Sequence, residues 1–268
     1  MKKIFLPFLV VIVAFTSCQK EIQWNPDDSN NPDTTDSTST YQPMTANSKW
    51  TYRVHQTFKI DSTMFNGIGL SQLGLSINDL LAMMGQTQTV TDTTYQYDVV
   101  CTGRDTTIDA KSYKIFISTQ EIPHDAYMRK DNNDYYQRGA LISMGTDDFA
   151  NGDIQMLYLK SNQPVGYSWT EQLNLNISGN VAQDEIKYTI KSKGATKEVN
   201  GKIYKDVIQV EMKITPKVEN MPEIPGMSLD FSTTTELFFA KDIGFIYEEI
   251  KPMMGTSMTV ELISEDIK

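Results

Sequence analysis

Histidine and cysteine are nearly absent from this chain, with two of each among 268 residues. A zinc site needs three or four nitrogen or sulfur ligands at close spacing, and His55 and His124 lie in unrelated contexts. Basic runs longer than two residues are missing, and acidic side chains outnumber basic ones 34 to 24, a formal charge of −10. Such a chain is a poor partner for nucleic acid, and its net charge does not favour electrostatic docking on anionic lipid. There is no Gly-x-Ser-x-Gly elbow, phosphate-binding loop or dinucleotide fingerprint. The acidic turns Asp131–Asp134 and Asp147, Asp148, Asp153 lack the alternating spacing and glycine of a dedicated calcium loop. No catalytic residue, metal or cofactor is therefore assigned, and the chain is expected not to be an enzyme.

Long apolar runs are also missing. The longest, Ile4–Phe15, has twelve residues and contains Pro7; as a helix it spans about 18 Å against roughly 30 Å of bilayer hydrocarbon. Preceded by Lys2 and Lys3 and followed by Thr16-Ser17-Cys18, it has the order of an export signal. The end, Phe15-Thr16-Ser17-Cys18, resembles the lipobox of bacterial lipoproteins, with Phe15 where that family usually has Leu and Ser17 where it has Gly or Ala. The resemblance implies a signal peptide over 1–17, diacylglycerol on the Cys18 sulfur and an acyl chain such as palmitate on its amino group. Membrane attachment through Cys18 and a place in the cell envelope, at the outer membrane on a face left open, follow as expectations. The alternative is an ordinary signal peptide with an incidental cysteine. Removing 1–17 takes away two lysines, leaving 22 basic against 34 acidic side chains, or −12. With Cys18 lipidated, Cys101 has no disulfide partner and reads as a small buried hydrophobe.

Residues 18–41 read as lipid anchor and tether. Gln23–Thr40 is almost wholly polar and buries too little apolar surface to offset ordering entropy. From Tyr41 onward the pattern is β. Two-residue alternation runs through Lys49–Val54, Tyr95–Val100, Tyr113–Ile117, Ser168–Ile177, Glu185–Lys191 and Ile208–Ile214. It returns at Glu236–Phe239, Gly244–Ile250 and Thr259–Ile263, and Asn200-Gly201 is a strong hairpin signal. The aromatic residues at strand spacing read as core and cross-strand pairs. Gly103 and Gly194, Ile108 and Val199, and Tyr113-Lys114 and Tyr204-Lys205 share an offset of 91, while Trp50 and Trp169 differ by 119. Tyr135-Tyr136 answers Phe238-Phe239 at 103. The fold class predicted is all-β, mainly antiparallel: a strongly curved sheet or half-barrel built from a duplicated β unit, with one short inserted helix. A two-sheet sandwich also fits. Repeat 1 is placed at 42–165, repeat 2 at 166–268, both in one domain.

Two insertions are the most function-like stretches. In the first, 62–89, Leu73, Ile77, Leu80, Leu81 and Met84 follow one helical face, with Ser76 as N-cap and Gly85 past the end. The second, Glu219–Phe231, is a proline-bearing loop with Met221 and Met227. Methionine-rich elements adapt to irregular apolar partners, so these seven residues are candidate ligand contacts; the alternative is that both insertions merely plug the sheet. The tripeptides starting at Asp33, Asp36, Asp61, Asp92 and Asp105 resemble the acceptor motif of a bacterial protein O-glycosylation system, which implies modification at Thr34, Ser37, Ser62, Thr93 and Thr106. Trp50-Thr51-Tyr52 and Phe238–Ile246 resemble uncharacterised envelope lipoproteins, some of them similar to lipoprotein-carrier half-barrels whose concave face holds acyl chains. Two functions are expected on this footing: a non-catalytic module binding an apolar ligand or lipid, or a structural lipoprotein docking on another envelope protein.

Overall fold

A computed structural model describes residues 40–59, 90–119, 124–139, 155–177, 180–217, 232–253 and 256–268. The chain divides into two units, Met1–Ser37 with Lys59–Thr91, and Thr38–Phe58 with Asp92–Lys268. The second is the β-domain. The predicted helix and both insertions lie outside the described residues.

Among the described residues, twelve strands form one antiparallel sheet: β1 Lys49–Lys59, β2 Val90–Ile108, β3 Lys111–Ser118, β4 His124–Asp131, β5 Asp134–Arg138, β6 Gln155–Lys160, β7 Ser168–Ile177, β8 Asn180–Val199, β9 Lys202–Lys217, β10 Thr233–Ala240, β11 Gly244–Met253 and β12 Thr256–Asp266. Their order is β6-β5-β4-β3-β2-β1-β12-β11-β10-β9-β8-β7. Every neighbour in that order is also a neighbour in sequence, apart from β1 beside β12. The sheet is thus an up-and-down ring with a single break, between the successive strands β6 and β7. Trp169 on β7 donates its Nε1–H to the Leu157 carbonyl on β6 at 2.8 Å, and Tyr158 on β6 meets Phe239 on β10 with ring centroids 5.6 Å apart. The sheet therefore curls past a half-barrel into a nearly closed barrel.

Tight hairpins close one rim. Asp109-Ala110 and Asn200-Gly201 hold both turn residues at positive φ (52° and 58°; 50° and 78°), the primed geometry that matches strand twist. The chain also enters here. Asp242 donates its backbone N–H to the Thr40 carbonyl at 2.6 Å, and the Tyr41 amide donates to Tyr135 Oη at 3.0 Å. Of the six connections at the opposite rim, only Thr119, Gly139 and Ser232 fall among the described residues.

Backbone geometry recurs along the chain. Gly103 and Gly194 have φ of 74° and 67° and each sits at a register shift, in β2 and β8. Asn47 N–H bonds to Cys101 O and Cys101 N–H to Ser48 O, at 2.8 and 2.9 Å; Gly166, Ile190 and Tyr167 make the same pair of bonds at 2.8 and 3.0 Å. Past these bulges both hairpin tips lean over the outer face of the sheet. Asp109 pairs with Arg138 on β5; Asn200 Oδ1 accepts from Arg53 on β1 at 3.0 Å, and Lys202 pairs with Glu265 on β12. The aromatic pair does not follow this order: Tyr135-Tyr136 lies on the fifth strand of its half, Phe238-Phe239 on the fourth of the other.

Candidate functional site

Paired residues on neighbouring strands share a face, so the register traces the inner wall row by row. One row runs Ile190, Val210, Leu237, Glu248, Val260, Val54 across β8, β9, β10, β11, β12 and β1. All six are at most 2% exposed. Its five aliphatic members each contribute about 1.5–3 kcal/mol by leaving water. The next row runs Trp169, Tyr188, Met212, Thr235, Ile250, Met258, and beyond it Glu171 pairs with Ile186, which pairs with Ile214.

Toward the closed rim the wall gains a floor. Tyr97, Tyr52, Phe245, Phe239, Tyr158 and Tyr135 form an unbroken chain of ring contacts with centroids 5.4 to 6.3 Å apart. Aromatic residues on β2, β1, β11, β10, β6 and β5 thus meet across the interior as core and cross-strand pairs. Burial pushes the phenols of Tyr52, Tyr158 and Tyr188 up, so they remain neutral. Tyr52 Oη donates to the Phe245 carbonyl at 3.0 Å. The hydroxyls of Tyr158 and Tyr188 are buried without a hydrogen-bond partner.

The wall carries polar groups at two places, beside the β6–β7 break and on β11. Trp169 stacks on Tyr188, with centroids 5.1 Å apart and planes at 12°. Glu171, one register step away, has its carboxyl pushed up by burial, against the pull of Lys160. The charge of Glu171 is in turn the second cause, after burial, of the raised Tyr188 phenol. Glu248, wholly buried, supplies a second carboxyl to the wall between Leu237 and Val260. Among the described residues, no group of three or more His, Cys, Asp or Glu is placed to hold a metal ion.

A separate open groove of about 320 Å³ lies on the outside at the closed rim, between Lys202–Asp206 and Ala240–Ile243. It is mixed in polarity and shares no lining residue with the inner wall rows.

Cys18 and the predicted contacts Leu73, Ile77, Leu80, Leu81, Met84, Met221 and Met227 lie outside the described residues, as do Thr34, Ser37 and Ser62. Thr93 is exposed on β2, and Thr106 is half-buried on the same strand opposite Tyr113. Cys101 is fully buried, its thiol pushed up to about 11 chiefly by that burial. The Glu171–Trp169–Tyr188 group had one signal in the sequence, the alternating strand at Ser168–Ile177; nothing there indicated which face turned inward.

No protein-family model matches the chain, and no curated protein matches it in sequence. Among solved structures it is similar to an inferred exported protein of YmcC-like fold from Bacteroides fragilis, at 10% identity and a TM-score of 0.47, covering 85% of this chain and 100% of that one. It is also similar to an inferred lipoprotein from Parabacteroides distasonis, at 8% identity and a TM-score of 0.38, covering 85% and 99%.

Proposed function

We propose that the protein is a cell-envelope lipoprotein, held to the membrane by lipid on Cys18, whose β-barrel binds an apolar ligand on its inner wall and performs no catalysis. The anchor rests on the order Lys2-Lys3, Ile4–Phe15, Cys18. The binding reading rests on one observation: a largely apolar inner wall, floored by aromatic rings at the rim where the chain enters. A concave wall lined by aliphatic and aromatic groups with few polar ones is the usual form of a site for lipophiles.

Native mass spectrometry after mild extraction tests this directly. A co-purifying mass lost on organic extraction is the expected result. Protein of bare mass, with no uptake of added lipid, would leave the barrel a rigid module for docking on another envelope protein. Fractionation tests the anchor: Cys18→Ala should move the protein to the soluble fraction, and a variant that stays membrane-bound overturns it.

A further inference from the structure

The inner wall bears on what kind of lipophile fits, granted the binding reading above. Along the rows traced from Trp169 to Val54, the charged side chains are carboxyls, Glu171 and Glu248; the cation across the break that pulls on Glu171, Lys160 on β6, is itself held by Asp134 at 2.9 Å. A carboxylate or phosphate head group entering that wall would meet like charge in a low-dielectric surrounding, where repulsion is strong. Beside Glu171 stands Tyr188, 0% exposed, whose hydroxyl has no hydrogen-bond partner. A phenol donates and a carboxylate accepts. The group that satisfies both at once is a neutral hydroxyl, which accepts from Tyr188 and donates to Glu171. Trp169, stacked on Tyr188 and tied to Leu157, fixes the phenol ring and walls the spot from the side.

We propose that the ligand is a neutral, hydroxyl-bearing lipophile, its polar end seated on Tyr188 and Glu171 beside the β6–β7 break, and that lipophiles with anionic heads are rejected.

Full-length protein, stripped of lipid on a hydrophobic resin, is titrated at pH 8 with 1-monolauroylglycerol and with laurate. Binding is followed by tryptophan fluorescence and checked by calorimetry. Monolauroylglycerol should bind at least about tenfold more tightly, the scale set by one charge-dependent contact. Glu171→Gln should bring laurate within about threefold, since the repelling charge is gone. Tyr188→Phe should weaken monolauroylglycerol about tenfold without lowering the unfolding temperature, because its hydroxyl bonds to nothing in the fold. Laurate binding as tightly as monolauroylglycerol, or a ratio unmoved by both variants, overturns the proposal while leaving the barrel a binder. Failure of both lipids to bind removes the binding reading itself, and this inference with it.

Discussion

At the scale of single residues, the interior holds polar atoms that the fold itself does not use. Tyr158 Oη is buried with no partner, and a buried unsatisfied group costs about 1–3 kcal/mol. Tyr158→Phe keeps the ring contact with Phe239 and removes that cost, so stability should rise by about 1 kcal/mol in urea unfolding; a loss instead would mean the hydroxyl is bonded in solution. Asp98 behaves in the opposite way. Burial alone would raise its carboxyl, but hydrogen bonds from Lys49 and Thr51 outweigh burial and hold it below its ordinary value. A carboxyl depressed in the folded state stabilises above its unfolded pKa, near 3.9, and that contribution is lost as pH falls through the lower folded value. Asp98→Asn should therefore lower the melting temperature at pH 6, and the gap to the parent should close below about pH 3. Cys101, with its thiol raised, should resist alkylation in the native protein and react only on unfolding.

Among the strands and hairpins, the two glycines at the bulges separate conformation from crowding. Both need positive φ, but a Cβ on Gly103 would clash with Ala46 Cβ, whereas one on Gly194 would meet nothing within 4 Å. Gly194→Ala should cost only the left-handed backbone, about 1–2 kcal/mol. Gly103→Ala adds a clash with the segment that leads into β1 and should cost at least about 1 kcal/mol more. Equal costs in denaturant titrations would mean that the Ala46 segment yields freely. Much of this level could be read from sequence, because an antiparallel strand with one wet face alternates. The strands around Lys49–Val54, Ile208–Ile214 and Thr259–Ile263 follow that rule, and Asn200-Gly201 is the hairpin its residues predict. β6 escaped because Met156, Leu157, Tyr158 and Leu159 are all buried; with both faces covered, the two-residue period vanishes. β4 has too few apolar residues to show one. The site was harder still, since Glu171 and Tyr188 lie 17 positions apart and only the β7–β8 register makes them neighbours.

For the whole molecule, the ring order of the strands describes what the chain can tolerate. The β1–β12 ladder runs from Lys49↔Asp266 to Phe58↔Thr256, and Lys268 N–H reaches Ser48 Oγ at 3.1 Å. The first and last strands are thus joined as firmly as any hairpin, and the ring is interrupted instead between β6 and β7. That break sits midway along the chain, at the short turn after Lys160. In a ring so ordered, the place where the polypeptide starts is arbitrary. A circular permutant that links Lys268 to Thr40 and opens between Gln163 and Pro164 severs no ladder and should unfold in one cooperative step; one opened between Asn200 and Gly201 splits the β8–β9 hairpin and should not.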